Sequence, residues 1–391
     1  MLRRAGGLGA VVALSVALMI GLEGLARVAG RVKEGSWPVS PATERYEAAL
    51  RLRKLVMEHP YLIGVPRPGG AATVRGKSAT INSHGYRGAE FARPKPRGVF
   101  RVLAIGGSTT FDVCVTNDAA TWTRRLEEDL RRRFPTRSIE VVNGGAPGYT
   151  TLEMLLKLEI TDLEAVDPDL VVAFAGLNDL QPSAAPGFRA DYSVGHAEIQ
   201  RRFLGFESRK PGIVASSVLL FKIRRRLGLL GPELPATPRR DAPLPEAEAV
   251  YRERLTAIAR LLAEREIPLV CLTQVVRFGD GRPMSAQDSL AAFRWLPFLT
   301  AEGIVTGMDR YNEIMRGVAA QTGAALIDVA RDLPVTSEDF SDYCHWTDGG
   351  AAKMAAFLAE RLPDSMFELS RSTDGPADSI ARAAPAAPTA R

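Results

Sequence analysis

Short apolar runs recur along the chain at 99–105, 139–142, 169–175, 267–272 and 325–329, each the length of a strand buried on both faces. Between them, apolar positions repeat with helical period over 121–134, 150–165 and 248–265, then 308–322, and a further helix is expected at 349–362. Strands alternating with helices predict an α/β fold: three layers, with a mostly parallel five-stranded sheet between helices. Ligands of such sheets bind beyond the carboxyl ends of the strands. Three glycine-containing loops fall there: Gly106-Gly107-Ser108, Asn143 to Gly148, and Gly176 to Asp179.

The pattern is different outside this region. After Arg3 and Arg4, residues Ala5 to Leu22 carry no charge, and eighteen helical residues rise about 27 Å, close to a bilayer's hydrocarbon thickness. Residues 1–30 are therefore expected to be an uncleaved signal-anchor. A cleaved secretory signal and a buried helix are the alternatives, and only weak cleavage candidates occur, near Ala26 and Ala29. Arg27, Arg31 and Lys33 follow the segment, so the Lys/Arg bias assigns no side; the body is expected to be extracytoplasmic. Residues 31–98 mix a helical pattern at Arg45–Met57 with turns, including Asn82-Ser83-His84-Gly85-Tyr86-Arg87-Gly88, and lead through Arg93-Pro94-Lys95-Pro96 into a main domain at 99–369. An insertion at 181–247 interrupts the alternation. Its amphipathic stretch from Val214 to Leu230 suits a lid, a membrane-surface element, or a helix packed on the body. Residues 370–391, rich in Ala, Pro and Ser, read as a disordered tail.

Composition narrows the function classes. The net charge of +5 over 391 residues comes largely from local Arg clusters, with no basic stripe interleaved with aromatics, so no nucleic-acid partner is expected. Cys114, Cys271 and Cys344 lie far apart and form no CxxC pair, which supports neither a metal site nor a disulfide framework. The serine loop lacks the lysine of a phosphate-binding GxxxxGK[ST] and the spacing of a dinucleotide GxGxxG. No cofactor is expected.

A nucleophilic serine needs a base within hydrogen-bond reach and a third group to orient that base. Of the four histidines, His345 lies in Asp342-Tyr343-Cys344-His345, after the last strand, where a carboxylate three residues earlier can curl back onto Nδ1–H. Ser108 is the matching nucleophile. Acyl transfer also needs donors for a developing oxyanion; the Asn178 side chain and the Gly148 N–H can supply them. Each loop also has a plain reading as a cap or turn. The weight lies in Ser, Gly, Asn and His occurring in that order, each beyond a separate strand. His84 is expected in a surface turn, Trp346 in packing and Asp179 as a brace of the Asn178 loop, while Cys344 is not expected to act as a thiol nucleophile.

At these residues the chain resembles the SGNH (GDSL-like) hydrolase superfamily, whose serine, glycine, GxND and DxxH blocks are matched by Gly106-Gly107-Ser108, Asn143 to Gly148, Gly176-Leu177-Asn178-Asp179 and Asp342 to His345. The resemblance covers roughly 99–365. It implies a flavodoxin-like fold, Ser108 as nucleophile, His345 as base and then acid, and Asp342 as orienter. The implied oxyanion donors are the Ser108 N–H, the Gly148 N–H and the Asn178 side chain. Gly107 departs from the family's usual Asp, so support of the loop must come from elsewhere, with Thr109, Thr110 and Asp112 as candidates. The GGST variant after an apolar N-terminus is similar to a membrane-associated bacterial branch. The expected function is cleavage of a carboxylic, O-acyl ester on an envelope glycan, a lipid or a small molecule. An O-acyltransferase using the same residues and a non-catalytic glycan- or anion-binding protein are the alternatives. No motif speaks to oligomeric state, acyl chain or alcohol.

Overall fold

The computed structural model describes residues 2–74, 76–230, 237–279 and 281–368; the expected tail at 370–391 lies outside them. The chain first forms a helix, Leu2–Glu34, and a second, Pro41–Leu55, started by the Ser40 side chain accepting from Thr43 N. Two antiparallel hairpins follow, β1 (Val56–His59) with β2 (Ile63–Pro66) and β3 (Ala71–Val74) with β4 (Lys77–Thr80). Then come the strands of the central sheet: β5 (Val99–Gly106), β6 (Ser138–Asn143), β7 (Leu170–Phe174), β8 (Leu269–Leu272) and β9 (Ala325–Ile327). Their spatial order is β6-β5-β7-β8-β9, with every pairing parallel. This is the flavodoxin-like order, in which the chain winds outward in both directions from β5 and opens a crevice at the β5/β7 carboxyl ends.

The two-residue period of the strands divides the core. Leu103 and Ile105 of β5, Val171 and Ala173 of β7, and Cys271 of β8 face one apolar cluster, with residues of helices Pro245–Ala263 and Ala301–Thr322. Phe100, Val102 and Ala104, Val172 and Phe174, and Val270 and Leu272 face the other, with helices Trp122–Arg133 and Asp348–Arg361. Both faces are buried, which is why these strands read as unbroken apolar runs.

The helix expected over 150–165 is interrupted. It runs Thr151–Lys157, widens into a π turn at Leu158–Asp162 and resumes at Leu163–Val166. The wide turn coincides with a buried pair five residues apart: Lys157 Nζ donates to Asp162 at 2.8 Å, and Tyr86 O–H donates to the same carboxylate at 2.6 Å.

Residues 31–98 are more than a linker. Leu62, Tyr86 and Phe91 belong to the main core, while Leu55, Val56 and Ile81 pack with Phe111 from the serine loop. Four-residue strands carry too few alternations to announce themselves in a sequence, so the hairpins were not expected. The insertion also divides. Gln181, Ser183, His196 and Gln200 are buried in the body, whereas 221–230 lies largely exposed.

Arg101 fastens the extension to the sheet. Its side chain is fully buried, donating to Glu140 at 2.7 Å, to Val166 O at 2.7 Å and to Ala92 O at 3.1 Å. Removing one partner of a buried ionic network leaves its acceptors unpaired, so Arg101→Ala is expected to lower stability by about 3 kcal/mol in urea unfolding.

Candidate active site

The serine loop is built on close backbone approaches. β5 ends at Gly106, and residues Ser108–Phe111 form one helical turn with Phe111 N bonded to Gly107 O at 2.9 Å. The amide of the first helical residue has no acceptor inside a helix, which leaves the Ser108 N–H directed out of the turn. A Cβ on Gly107 would stand 2.3 Å from Asn178 Nδ2, and one on Gly145 would stand 2.4 Å from Phe111 N. Glycine at both positions lets three loops meet without side chains between them.

The second loop begins at Asn143, whose buried Nδ2 donates to Thr110 O at 2.8 Å and Thr123 Oγ1 at 3.0 Å, tying it to the serine turn. Gly148 has φ +84°, a conformation glycine adopts without a Cβ penalty, and Gln200 fills the space a Cβ would take. Gln200 Nε2 also donates to Pro147 O at 2.8 Å, so the insertion braces this loop. The following helix starts with a Thr150/Glu153 capping box. Burial alone raises the Glu153 carboxyl, but the neighbouring His196 and the Thr150 donors outweigh it and hold the group below its ordinary range. In the third loop, the Asn178 amide is fixed at both ends: Nδ2 donates to Tyr149 O at 2.9 Å, and Oδ1 accepts from Trp295 Nε1 at 3.0 Å. That pair of bonds turns the N–H end toward Gly107 and Ser108. A cavity of about 10 Å³ opens against Gly107, Ser108, Tyr149 and Asn178, room for one water-sized atom.

The fourth loop brings the imidazole. Asp342 Oδ1 accepts from the backbone N–H of Cys344 and of His345, each at 3.0 Å, curling the DxxH segment into a turn. His345 Nδ1 then lies 2.8 Å from Asp342 Oδ2, and His345 Nε2 lies 2.7 Å from Ser108 Oγ. An ionised carboxylate only accepts, so Nδ1 carries the proton and Nε2 accepts from the serine hydroxyl. Burial works to raise the Asp342 carboxyl, yet the adjacent His345 and the two backbone donors hold it well below the usual carboxylate range. This chain of bonds can take a proton from Ser108 as its oxygen attacks a carbonyl, with Asn178 and backbone N–H groups beside the carbonyl oxygen.

Support that Gly107 does not give comes from Asp112 and from Arg87. Asp112 ends the serine turn with φ +66° and accepts from Trp122 N at 2.6 Å. Arg87, in the turn segment of the extension, is buried and donates to Phe111 O at 2.6 Å and Asp112 O at 2.7 Å, while its Nε bonds Asp118 at 2.8 Å. Its role was not read from the sequence. The one signal was an arginine placed between two glycines and a tyrosine in a turn-rich segment. Gln200 and Trp295 had no signal, because their partners are distant loops.

Other named residues fall outside the hydrogen-bonded chain. His84 bonds Phe91 O through Nε2 at 3.1 Å. Trp346 is buried and stacks on Phe340. Asp179 accepts from Thr151 N–H and O–H and from Tyr192 O–H, so it braces the helix after the glycine loop. Burial raises the Cys344 thiol well above its ordinary range. Among the described residues, the potential metal ligands that gather are Cys114, Asp342 and His345, within 4.8 Å of one another, and two of these three, Asp342 and His345, are the pair already hydrogen-bonded to each other and on to Ser108.

Residues 104–353, well over half the chain, match the sequence model of the GDSL-like lipase/acylhydrolase family. The chain belongs to this family. As a GDSL-like acylhydrolase it is a hydrolase acting on ester bonds. No curated protein sequence matches it. Among solved structures it is similar to LAE5, an α/β hydrolase enzyme from the metagenome of Lake Arreo, Spain, at 20% identity over 66% of this chain and 94% of that one (TM-score 0.38). It is also similar to the acetyl xylan esterase AlAXEase, at 15% identity over 68% and 100% (TM-score 0.39). A third is the lipase/acylhydrolase of Enterococcus faecalis, at 17% identity over 67% and 94% (TM-score 0.36).

Two tests follow from the geometry of this GDSL-like site. Gly107→Ala places a methyl against the Asn178 amide, and kcat for p-nitrophenyl acetate is expected to fall about 10²-fold with KM little changed. Burial pushes the Asp112 carboxyl up to about 7 from 3.8, against the pull of the Trp122 amide and Arg87. Between those values the unfolded chain holds fewer protons than the folded one, so this group's contribution to stability declines as pH rises. Asp112→Asn keeps an acceptor for Trp122 and is expected to flatten the urea-unfolding free energy between about pH 4 and about pH 7. A smaller slope of the same sign survives from Asp179, which burial raises to about 6.

Proposed function

We propose that this acylhydrolase works through an acyl-Ser108 intermediate. Ser108 Oγ attacks the ester carbonyl while its proton passes to His345 Nε2. The carbonyl oxygen becomes an oxyanion, held by the Ser108 and Gly148 N–H groups and by Asn178 Nδ2. The intermediate collapses by breaking the bond to the alcohol oxygen, which takes the proton from Nε2. Water then attacks the acyl carbon, gives a proton to His345, and the acid leaves as Ser108 recovers its hydrogen. Asp342 holds the imidazole in the required tautomer and stabilises its charged form. The 2.7 Å contact between Ser108 Oγ and His345 Nε2, continued to Asp342 at 2.8 Å, carries this reading.

The substrate we infer is an O-acyl ester on an envelope glycan or lipid. The first helix holds a stretch within Ala10–Glu34 that is long and apolar enough to cross a membrane, with none of its most apolar part buried, which favours an enzyme anchored at residues 1–30; an envelope ester as substrate would put its body on the extracytoplasmic side. Wild-type protein is expected to label with a fluorophosphonate and to turn over p-nitrophenyl acetate. Ser108→Ala is expected to lose both, with turnover down by about 10³-fold or more. A wild type that neither labels nor turns over would remove the acyl-serine reading.

A further inference from the structure

The first helix does not end its contact with the protein where its apolar stretch ends. Glu23 directly follows the uncharged run Ala5–Leu22, and its carboxylate accepts from Val218 N at 3.0 Å, Leu219 N at 2.9 Å and Ser217 Oγ at 2.7 Å. These donors are the start of helix Val218–Arg226 in the insertion. Arg27, one turn on, donates to Ser216 O at 3.2 Å and pairs with Glu23 at 2.8 Å, while Ser40 Oγ donates to Ala215 O at 2.6 Å. A charged residue that closes an apolar span is thus satisfied by the N-terminus of a second helix. The insertion is pinned at the level where the first helix leaves its apolar stretch.

What the pinned segment presents is unusual for a water-facing surface. Ile213 is 92% exposed, Val214 66%, Leu227 63% and Leu229 60%. Between Val214 and Leu227 stand exposed Lys222, Arg224, Arg225 and Arg226, none of which forms an ion pair among the described residues. Apolar side chains beside unpaired cations match a bilayer interface with anionic headgroups.

We propose that residues 213–230 form a second membrane contact, lying on an anionic lipid surface beside the N-terminal helix and fixing the orientation of the catalytic body over the bilayer. The inference rests on the reading of the N-terminal helix as a span. Two attachments, one crossing and one lying flat, remove the swivel that a single helix would permit. The insertion that braces the Gly148 loop through Gln200 is therefore the same segment that meets the lipid.

The test is amide hydrogen exchange on the full-length protein in nanodiscs of phosphatidylcholine alone and of phosphatidylcholine with phosphatidylglycerol. Amides of 10–22 should be protected in both. Those of 213–230 should exchange at least about fivefold more slowly in the anionic discs, the effect of roughly one basic side chain at such a surface. Arg224→Glu/Arg225→Glu/Arg226→Glu should abolish that difference and leave turnover of p-nitrophenyl acetate unchanged. Equal exchange of 213–230 in both discs with 10–22 protected would overturn the contact while preserving the span. Free exchange of 10–22 would overturn the span and the proposal with it.

Discussion

The 2.7 Å bond between Ser108 Oγ and His345 Nε2 joins residues 237 positions apart, and the geometry around it follows from what that contact demands. The serine must leave the end of β5 in a single tight turn, and the histidine must return from beyond β9, at the far side of the sheet. A parallel sheet makes this possible by aligning the carboxyl ends of its strands on one edge. The loops themselves must then approach more closely than side chains normally allow. Gly107 and Gly145 remove the obstructing Cβ atoms, and the freed space is taken by the Asn178 amide and the backbone of the serine turn. A hydroxyl, an imidazole and an amide are thereby set by backbone packing and not by flexible side-chain reach, which is the condition for a preorganised site.

Rigidity at that edge is supplied from outside the minimal fold. Arg87 of the extension grips the end of the serine turn through two carbonyls, and Gln200 of the insertion supports the loop that carries Gly148. Buried hydrogen bonds to a charged guanidinium are among the stronger ones available. The extension and the insertion therefore pack into the loops at that edge, and the serine turn after Gly107 is held by the neighbouring Asp112 and by Arg87 from the extension.

The sequence disclosed what depends on local period and order. Five apolar runs marked the five sheet strands, most fully in β5, β7 and β8, where both faces are buried; Ser108, Gly148 and Asn178 stood out in loops just after strands, and Asp342 and His345 in a short spaced motif beyond the last one. It concealed what depends on distant partners. The hairpins at 56–66 and 71–80 have too few residues for alternation to register. The π turn at Leu158–Asp162 coincides with a Lys157–Asp162 pair whose burial no pattern announces. Arg87 looked like a turn residue because its acceptors lie on another loop, and nothing local to Glu23 announces partners 194 to 196 positions away.

The chain is an ester hydrolase of the GDSL-like family, and we propose that its first helix holds it near the surface that carries its substrate. The central proposal is a covalent acyl-serine. The direct measurement is mass spectrometry of the wild-type protein acid-quenched within the first turnovers of p-nitrophenyl acetate, with peptide mapping. An acetyl group on the peptide containing Ser108, absent from the same peptide after complete turnover, is the expected result. Hydrolysis at an undiminished rate with no adduct at Ser108 at any quench time, or with an adduct only on another residue, would contradict the account.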